Sequence, residues 1–232
     1  MDVPLDPPAP DPFGLVVLRA DLTIETELRA LLPGDRALLV SRIPSGADVT
    51  IGTLAAMEGE LARAASLFPE GQRLRALGYG CTSGASVIGS HRVTDLLRQG
   101  VETGTVHDPL SALVAACRAE GVRRLGVVTP YLIDVTDTLC AALESQGITV
   151  PHRTAFGIAT EADVARIPAP FVAAQARAMR ERDVDAVFLS CTNLRTLAAL
   201  RLLEREPGVP VWSSNLVLAR AMASAEDHVG SR

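Results

Sequence analysis

The chain has 232 residues, of which 48% are apolar, 21% charged and 3% aromatic, and its formal net charge is −5. That is enough apolar material for one large globular domain or two of about a hundred residues each, and it excludes a disordered chain. The charge is spread with no basic stripe, which excludes nucleic acid and anionic membrane as partners, and no apolar run reaches the roughly 20 residues of a membrane helix.

Residues 1–12 are acidic and proline-rich and read as a flexible arm rather than a signal peptide. The four cysteines (81, 117, 140 and 191) form no C-x-x-C pair, so the reading is a cytoplasmic chain without a disulfide framework. Gly14–Leu18 is a short buried strand, and Ile24–Leu32 has helical spacing, with Asp21 or Thr23 as its cap. Ala37–Val40 is a second strand, opening into a turn-rich loop over 41–48. Helix 53–67 follows, and then strand 74–79, which delivers Cys81 into Thr82-Ser83-Gly84. Residues 87–97 are partly helical, and 100–106 is another short strand.

From Pro109 the pattern restarts: helix 110–118, strand 125–129, loop 130–134, then a helix from Val135 to Gln146 ended by Gly147. A short strand at 148–151 and a helix at 171–182 follow. Strand 186–190 delivers Cys191 into Thr192-Asn193. Helix 194–206 stops at Pro207-Gly208, strand 209–212 comes next, and Ser213-Ser214-Asn215 opens a last helix over 216–225. Short strands alternating with helices predict a parallel α/β fold. Gly14-Leu-Val-Val recurs as Gly126-Val-Val, Cys81-Thr82 as Cys191-Thr192, and Gly100-Val101 as Gly208-Val209, all at nearly one spacing. This predicts a duplication into two pseudo-symmetric lobes. The N-terminal lobe is 13–108, completed by the C-terminal helix 213–232, and the C-terminal lobe is 109–212. Ligands of parallel sheets sit beyond the carboxyl ends of the strands, so Cys81 and Cys191 are expected on opposite walls of one interlobe cleft.

Competing chemistries are weak. Gly78-x-Gly80-x-x-x-Gly84 misses the dinucleotide fingerprint by one residue, and there is no Walker-type loop. His91, His107, His152 and His228 lack metal-ligand spacing and read as surface or helix-end residues. Cys117 and Cys140 lie on apolar helix stripes as buried small hydrophobes. The turns after Cys81 and Cys191 are different: small polar residues at helix starts present free N–H groups that favour a carboxylate and lower a thiol's pKa. Two thiols facing a planar intermediate suit two-base proton exchange.

Cys81-Thr82-Ser83-Gly84, Thr129-Pro130-Tyr131, Ser190-Cys191-Thr192-Asn193 and Ser213-Ser214-Asn215, in this order, resemble the aspartate/glutamate racemase superfamily. Within it they are most similar to the branch of maleate cis-trans isomerase, arylmalonate decarboxylase and the ectoine-utilisation EutA-type proteins. The resemblance covers residues 14–223 and implies two α/β lobes, an interlobe site and no cofactor or metal. It implies Cys81 and Cys191 as catalytic thiols, with Thr82, Ser83, Tyr131, Thr192 and Asn193 around a substrate carboxylate and Asn215 lining the pocket. In a maleate isomerase-like route, Cys81 adds to a double bond and Cys191 donates the proton. In a racemase-like route, the two thiols exchange a proton on opposite faces.

Two departures bear on the substrate. Arylmalonate decarboxylases have glycine where this chain has Cys81, which counts against decarboxylation. Maleate isomerases carry Ser-Ser-Asn where this chain has Arg19-Ala20-Asp21. Asp21 is either a substrate selector, suited to an amino, amidine or hydroxyl group, or a helix N-cap. Arg42 is either a carboxylate clamp or a solvated loop arginine. The expectation is a cofactor-independent isomerase or racemase of a small amino- or hydroxy-carboxylic acid, tilted to the ectoine-utilisation branch. A homo-oligomer is left open. The alternatives are a non-catalytic small-acid-binding protein on the same fold, or a decarboxylase or lyase with one catalytic cysteine.

Overall fold

Eight strands form two four-stranded, all-parallel sheets in this computed structural model, which describes residues 3–7 and 9–225. The first half runs β1 (Phe13–Leu18), α1 (Ile24–Leu31), β2 (Leu38–Ile43), α2 (Ile51–Ala56), α3 (Leu61–Ala65), β3 (Leu74–Gly80), α4 (Thr82–Ile88), α5 (Ser90–Gly100) and β4 (Thr103–His107). The second runs α6 (Pro109–Glu120), β5 (Arg124–Thr129), α7 (Ile133–Glu144), β6 (Thr149–Ala155), α8 (Glu161–Val164), α9 (Ala169–Arg180), β7 (Ala186–Leu189), α10 (Thr196–Leu203), β8 (Val211–Ser213) and α11 (Ser214–Ala223). The sheet orders, β2-β1-β3-β4 and β6-β5-β7-β8, are the same arrangement twice. The fold is α/β with two lobes.

Several boundaries differ from the sequence expectation. The helix expected over 53–67 is split by a 3₁₀ turn at Met57–Glu60, which contains Gly59, a residue costing about 1 kcal/mol against alanine inside a helix. The helix expected at 87–97 begins already at Thr82, stops at Gly89 (φ 92°) and restarts as α5. Because α5 runs through Gly100, the next strand starts at Thr103. The strand expected at 148–151 starts at Thr149 and runs on to Ala155 as β6, and α8 had no sequence signal.

Alternation along the first sheet sends its residues to two cores. Phe13, Leu15, Val17 and Ala76 pack with Ile24 and Leu28 of α1 and with Leu218, Ala219 and Met222 of α11. The intervening Val16, Leu18, Leu77 and Tyr79 join a larger core that continues through the second lobe to Trp212. Thus α11, although it follows a strand of the second sheet, seals the first. Burying Leu218 and Met222 there contributes about 1.5–3 kcal/mol each. Close helix packing also explains the Gly78-x-Gly80 pattern. A Cβ at Gly78 would lie 2.7 Å from Met222 Sδ, and one at Gly80 2.8 Å from Ile24 Cδ1.

Residues 3–7 and 9–12 of the expected arm form neither helix nor strand. Its residues 1, 2 and 8 lie outside the described residues, as do 226–232 of the expected C-terminal helix, including His228. Among the described residues no helix is long and apolar enough to cross a membrane.

Candidate active site

β3 and β7 occupy equivalent interior positions in their sheets; β3 ends directly before Cys81, and β7 ends one residue, Ser190, before Cys191. Two cross-ties bind the cysteine turns together. Thr192 Oγ1, just after Cys191, donates to the carbonyl of Gly80, just before Cys81, at 3.1 Å. Thr82 Oγ1, just after Cys81, donates at 2.7 Å to Ser214 Oγ, which also accepts the Cys191 N–H at 3.0 Å. Each thiol is therefore flanked by groups anchored to the other lobe, and the two turns abut.

The turns differ in backbone form. Cys81 is extended and caps α4, its Sγ accepting the Gly84 N–H at 3.2 Å with Ser83 Oγ at 3.7 Å. The first-turn N–H groups of Thr82 and Ser83 have no acceptor among the described residues. Cys191 has φ 108°, a strained conformation costing about 1–3 kcal/mol of the kind that clusters at functional sites. The Ser214 hydroxyl holds it there.

Both thiols are only 4% exposed. Burial, reinforced by the charge of Glu161, pushes Cys81 up to about 12 despite the Gly84 N–H and the Ser83 hydroxyl. Burial, then Glu161 and Asp21, likewise pushes Cys191 well above the usual thiol value. The sequence reading expected helix-start N–H groups to depress the thiol pKa. The N–H groups act in that direction, but desolvation and nearby carboxylates outweigh them, and the pKa rises instead. Both cysteines rest as neutral thiols.

Tyr131 is buried on the loop after β5, 3.5 Å from Ser190 Oγ. Burial raises its phenol pKa, and the neighbouring charges of Cys191 and Cys81 raise it further, so the hydroxyl stays protonated and can donate to Cys191. Asp21 takes the capping geometry: Oδ1 accepts the N–H groups of Thr23 (2.8 Å) and Ile24 (2.9 Å), and Oδ2 accepts Thr192 Oγ1 at 2.9 Å. Arg42 is engaged by backbone carbonyls and by Glu25. Its Nη1 donates to the carbonyls of Leu18, Arg19 and Asp21, and Nη2 pairs with Glu25, so it braces the loop that carries Asp21. Asn193 is committed to structure, accepting from Leu22 N and donating to both the carbonyl and Oε2 of Glu161. Asn215 Nδ2 donates to Glu27 Oε2 and to Thr192 O, while its Oδ1 is buried without a partner among the described residues.

Three residues of this assembly were given no site role from the sequence, although Ser214 stands in the Ser213-Ser214-Asn215 motif. Ser214 joins the two cysteine turns. Glu27 of α1 accepts from Thr196 Oγ1, Leu197 N and Asn215 Nδ2, clamping α10 and α11 to the first lobe. Glu161, at the start of α8, is 7% exposed. Burial raises its pKa against the Asn193 hydrogen bond, and the charge acting on it is another carboxylate, Asp21. Its Oε1 accepts no hydrogen bond among the described residues. Glu161 is placed by a clasp between lobes: Val49 N donates to Ala159 O at 2.7 Å, Glu161 N to Ala47 O at 3.1 Å, and Asp48 bridges Thr160. The turn-rich loop after β2 was recognisable in the sequence, but its partner segment was not.

The remaining candidates lie elsewhere. Cys117 and Cys140 are buried on α6 and α7, each thiol pushed up to about 11 by burial. His91 is exposed beside Asp95, and His107 lies against Thr105. No group of three or more His, Cys, Asp or Glu residues suited to a metal ion occurs among the described residues.

Comparison with known proteins places the chain among related folds and sequences. The profile of the arylmalonate decarboxylase family matches residues 97–229. Maleate isomerase of Nocardia farcinica is 32% identical over 217 residues, covering 87% of this chain and 84% of that protein. A solved structure of a cysteine-to-serine variant of the Nocardia farcinica maleate cis-trans isomerase, with a covalently bound succinylcysteine intermediate, superposes with a TM-score of 0.82 at 29% identity, covering 91% of each chain. A glycine-to-cysteine, cysteine-to-serine double variant of arylmalonate decarboxylase superposes with a TM-score of 0.81 at 25% identity, covering 96% of this chain and 94% of that one.

Proposed function

The chain belongs to the maleate isomerase and arylmalonate decarboxylase branch of the aspartate/glutamate racemase superfamily, and on that premise we propose that it is a cofactor-independent isomerase or racemase. The observation that carries this reading is the double cross-tie, which sets the Cys81 and Cys191 turns against one another. The N–H groups of Thr82 and Ser83, at the open turn of α4, take the substrate carboxylate and the charge that builds on it as an enediolate.

In the addition route, Cys81 first releases its proton to solvent, and its thiolate forms a C–S bond to one alkene carbon. The π electron pair moves to the neighbouring carbon, which takes a proton from Cys191. The carbon–carbon bond is now single and rotates. Return of that proton and expulsion of the Cys81 thiolate restore the alkene in the other geometry. The succinylcysteine in the Nocardia relative corresponds to the middle of this sequence. In the exchange route, one thiolate takes the α-proton, and the other thiol delivers one to the opposite face.

The substrate is a small carboxylic acid that also carries an amino, amidine or hydroxyl group, as suits the ectoine-utilisation branch. Glu161 supports this, because a buried carboxylate whose second oxygen accepts no hydrogen bond among the described residues, and whose neighbouring charge is another carboxylate, favours a cation or a hydrogen-bond donor. Asp21, with both oxygens engaged, shapes the loop instead. The working location is the cytoplasm.

The test is a panel of small acids (maleate, aspartate, hydantoin-like and ectoine-derived compounds) followed by proton NMR in deuterated water. Cys81→Ala and Cys191→Ala are each expected to lower turnover by about a hundredfold to ten-thousandfold, with the fold retained. Full activity in Cys81→Ala would sink the two-thiol mechanism. Preferential turnover of maleate to fumarate would overturn the role given to Glu161 while leaving the thiols in place. The high resting pKa of both thiols favours one other reading, a non-catalytic small-acid-binding protein. Saturable binding with no turnover across the panel would establish it.

A further inference from the structure

We infer that Tyr79 is a positioning residue for Cys81, its hydroxyl placed to donate a hydrogen bond to that sulfur when the sulfur carries charge, as the Tyr131 hydroxyl does for Cys191. The inference rests on reading Cys81 as a reacting thiol, but on no particular substrate. Tyr79 lies two residues before Cys81 in extended backbone, and a period of two brings both side chains to the same face. The side chain is fully buried, and its hydroxyl has no hydrogen-bond partner among the described residues. A hydroxyl desolvated without a partner costs stability and calls for an explanation.

Gly84 supplies the geometric link. A Cβ on Gly84 would stand 2.5 Å from Tyr79 Oη and 3.0 Å from Cys81 Sγ, so one point in space touches both atoms. The third residue of α4 is glycine because the hydroxyl and the sulfur share that space. A neutral thiol is a weak acceptor, whereas a thiolate is a strong one. The hydroxyl that has no partner at rest thus gains one when Cys81 ionises, and no proton need pass between them. Burial, then Cys81 and Asp108, keeps the Tyr79 phenol protonated and able to donate. The other groups facing Cys81 are the carboxylates of Glu161 and Asp21, the Ser83 hydroxyl and the Gly84 N–H. The two carboxylates oppose the thiolate, which makes a further donor valuable.

The experiment is iodoacetamide labelling of the full chain across pH, with mass-spectrometric mapping of each cysteine. Cys191, equally buried, is the internal control. Tyr79→Phe is expected to slow labelling of Cys81 about three- to tenfold at each pH below its pKa, the size expected of one charge-assisted hydrogen bond after allowing for the higher nucleophilicity of a more basic thiolate. Cys191 should be unchanged. Tyr131→Phe should slow Cys191. If Tyr79→Phe does not fold, 3-fluorotyrosine at position 79 preserves the shape and strengthens the donor, and it should speed Cys81 labelling. Unchanged Cys81 rates, an equal fall at both cysteines, or faster Cys81 labelling in Tyr79→Phe would each overturn the inference. Since no substrate is used, absence of turnover against the acid panel leaves this result intact.

Discussion

Glu27 is the place where one substitution should loosen both the lobe interface and the site. Its carboxylate accepts three hydrogen bonds, from Thr196 Oγ1 (2.9 Å), Leu197 N (2.8 Å) and Asn215 Nδ2 (2.8 Å). Thr196 and Leu197 lie on α10, between β7 and β8, and Asn215 on α11, just after β8, while Glu27 belongs to the first lobe. Glu27→Ala leaves those donors without an acceptor at a site where Glu27 is only 7% exposed. Water entering the small void will satisfy some of them, so the loss is about 3–5 kcal/mol rather than the full sum of three orphaned donors. For a chain of this size that lowers the melting temperature by roughly 6–20 °C. Glu27→Gln should fall between, because its carbonyl can serve Thr196 and Asn215 while its amide nitrogen faces the Leu197 N–H. Asn215 also holds the Thr192 carbonyl at 3.0 Å, so the Ala variant should alkylate faster at Cys191 as the turn loosens. Thermal and urea unfolding, run beside cysteine labelling, give both readouts. A melting temperature within about 2 °C of the parent for Glu27→Ala would refute the clamp.

Ser214→Ala removes the hydroxyl shared by Thr82 and Cys191, and should cost about 2–4 kcal/mol in urea unfolding by orphaning two buried donors. Gly84→Ala drives a methyl into Tyr79 Oη and Cys81 Sγ, and should destabilise by about 1–3 kcal/mol while changing Cys81 labelling and sparing Cys117. The buried carboxylates set a pH trend. Burial raises the folded pKa of Glu161 above its ordinary 4.5, so its contribution to stability is fully present below pH 4.5 and is lost as pH rises through the folded value. Asp21 and Glu27, also raised by burial, act in the same direction. Glu161→Gln should therefore lose less stability than the parent between pH 4.5 and neutrality, and should label faster at both Cys81 and Cys191. Superimposable stability curves would count against the assignment.

Local pattern carried much of the fold. Strand-length apolar runs ending before Cys81 and Cys191 follow from a period of two and from the small polar residues that start α4 and follow β7. The repeated spacing of Gly14 with Gly126 and of Cys81 with Cys191 points to the duplication that the two sheet orders display. Helix breaks were less legible, because a single Gly89 at positive φ resets a helix without disturbing its apolar spacing.

The sequence by itself determined the alternation of strands and helices, the two polar cysteine turns and their equivalence, since each is written within a few consecutive residues. Only the tertiary structure decided what those turns contain. Ser214, Glu27, Glu161 and Tyr131 reach the cysteines or their turns from distant parts of the chain. Tyr79, although local, gains meaning only from Gly84 across the turn. The protonation of the thiols was decided there too, because desolvation depends on everything packed around a group. Asp21 and Arg42 illustrate the same division. Their positions after β1 and within β2 are local facts, but whether a carboxylate or guanidinium faces substrate depends on which distant donors and carbonyls have already taken its hydrogen bonds.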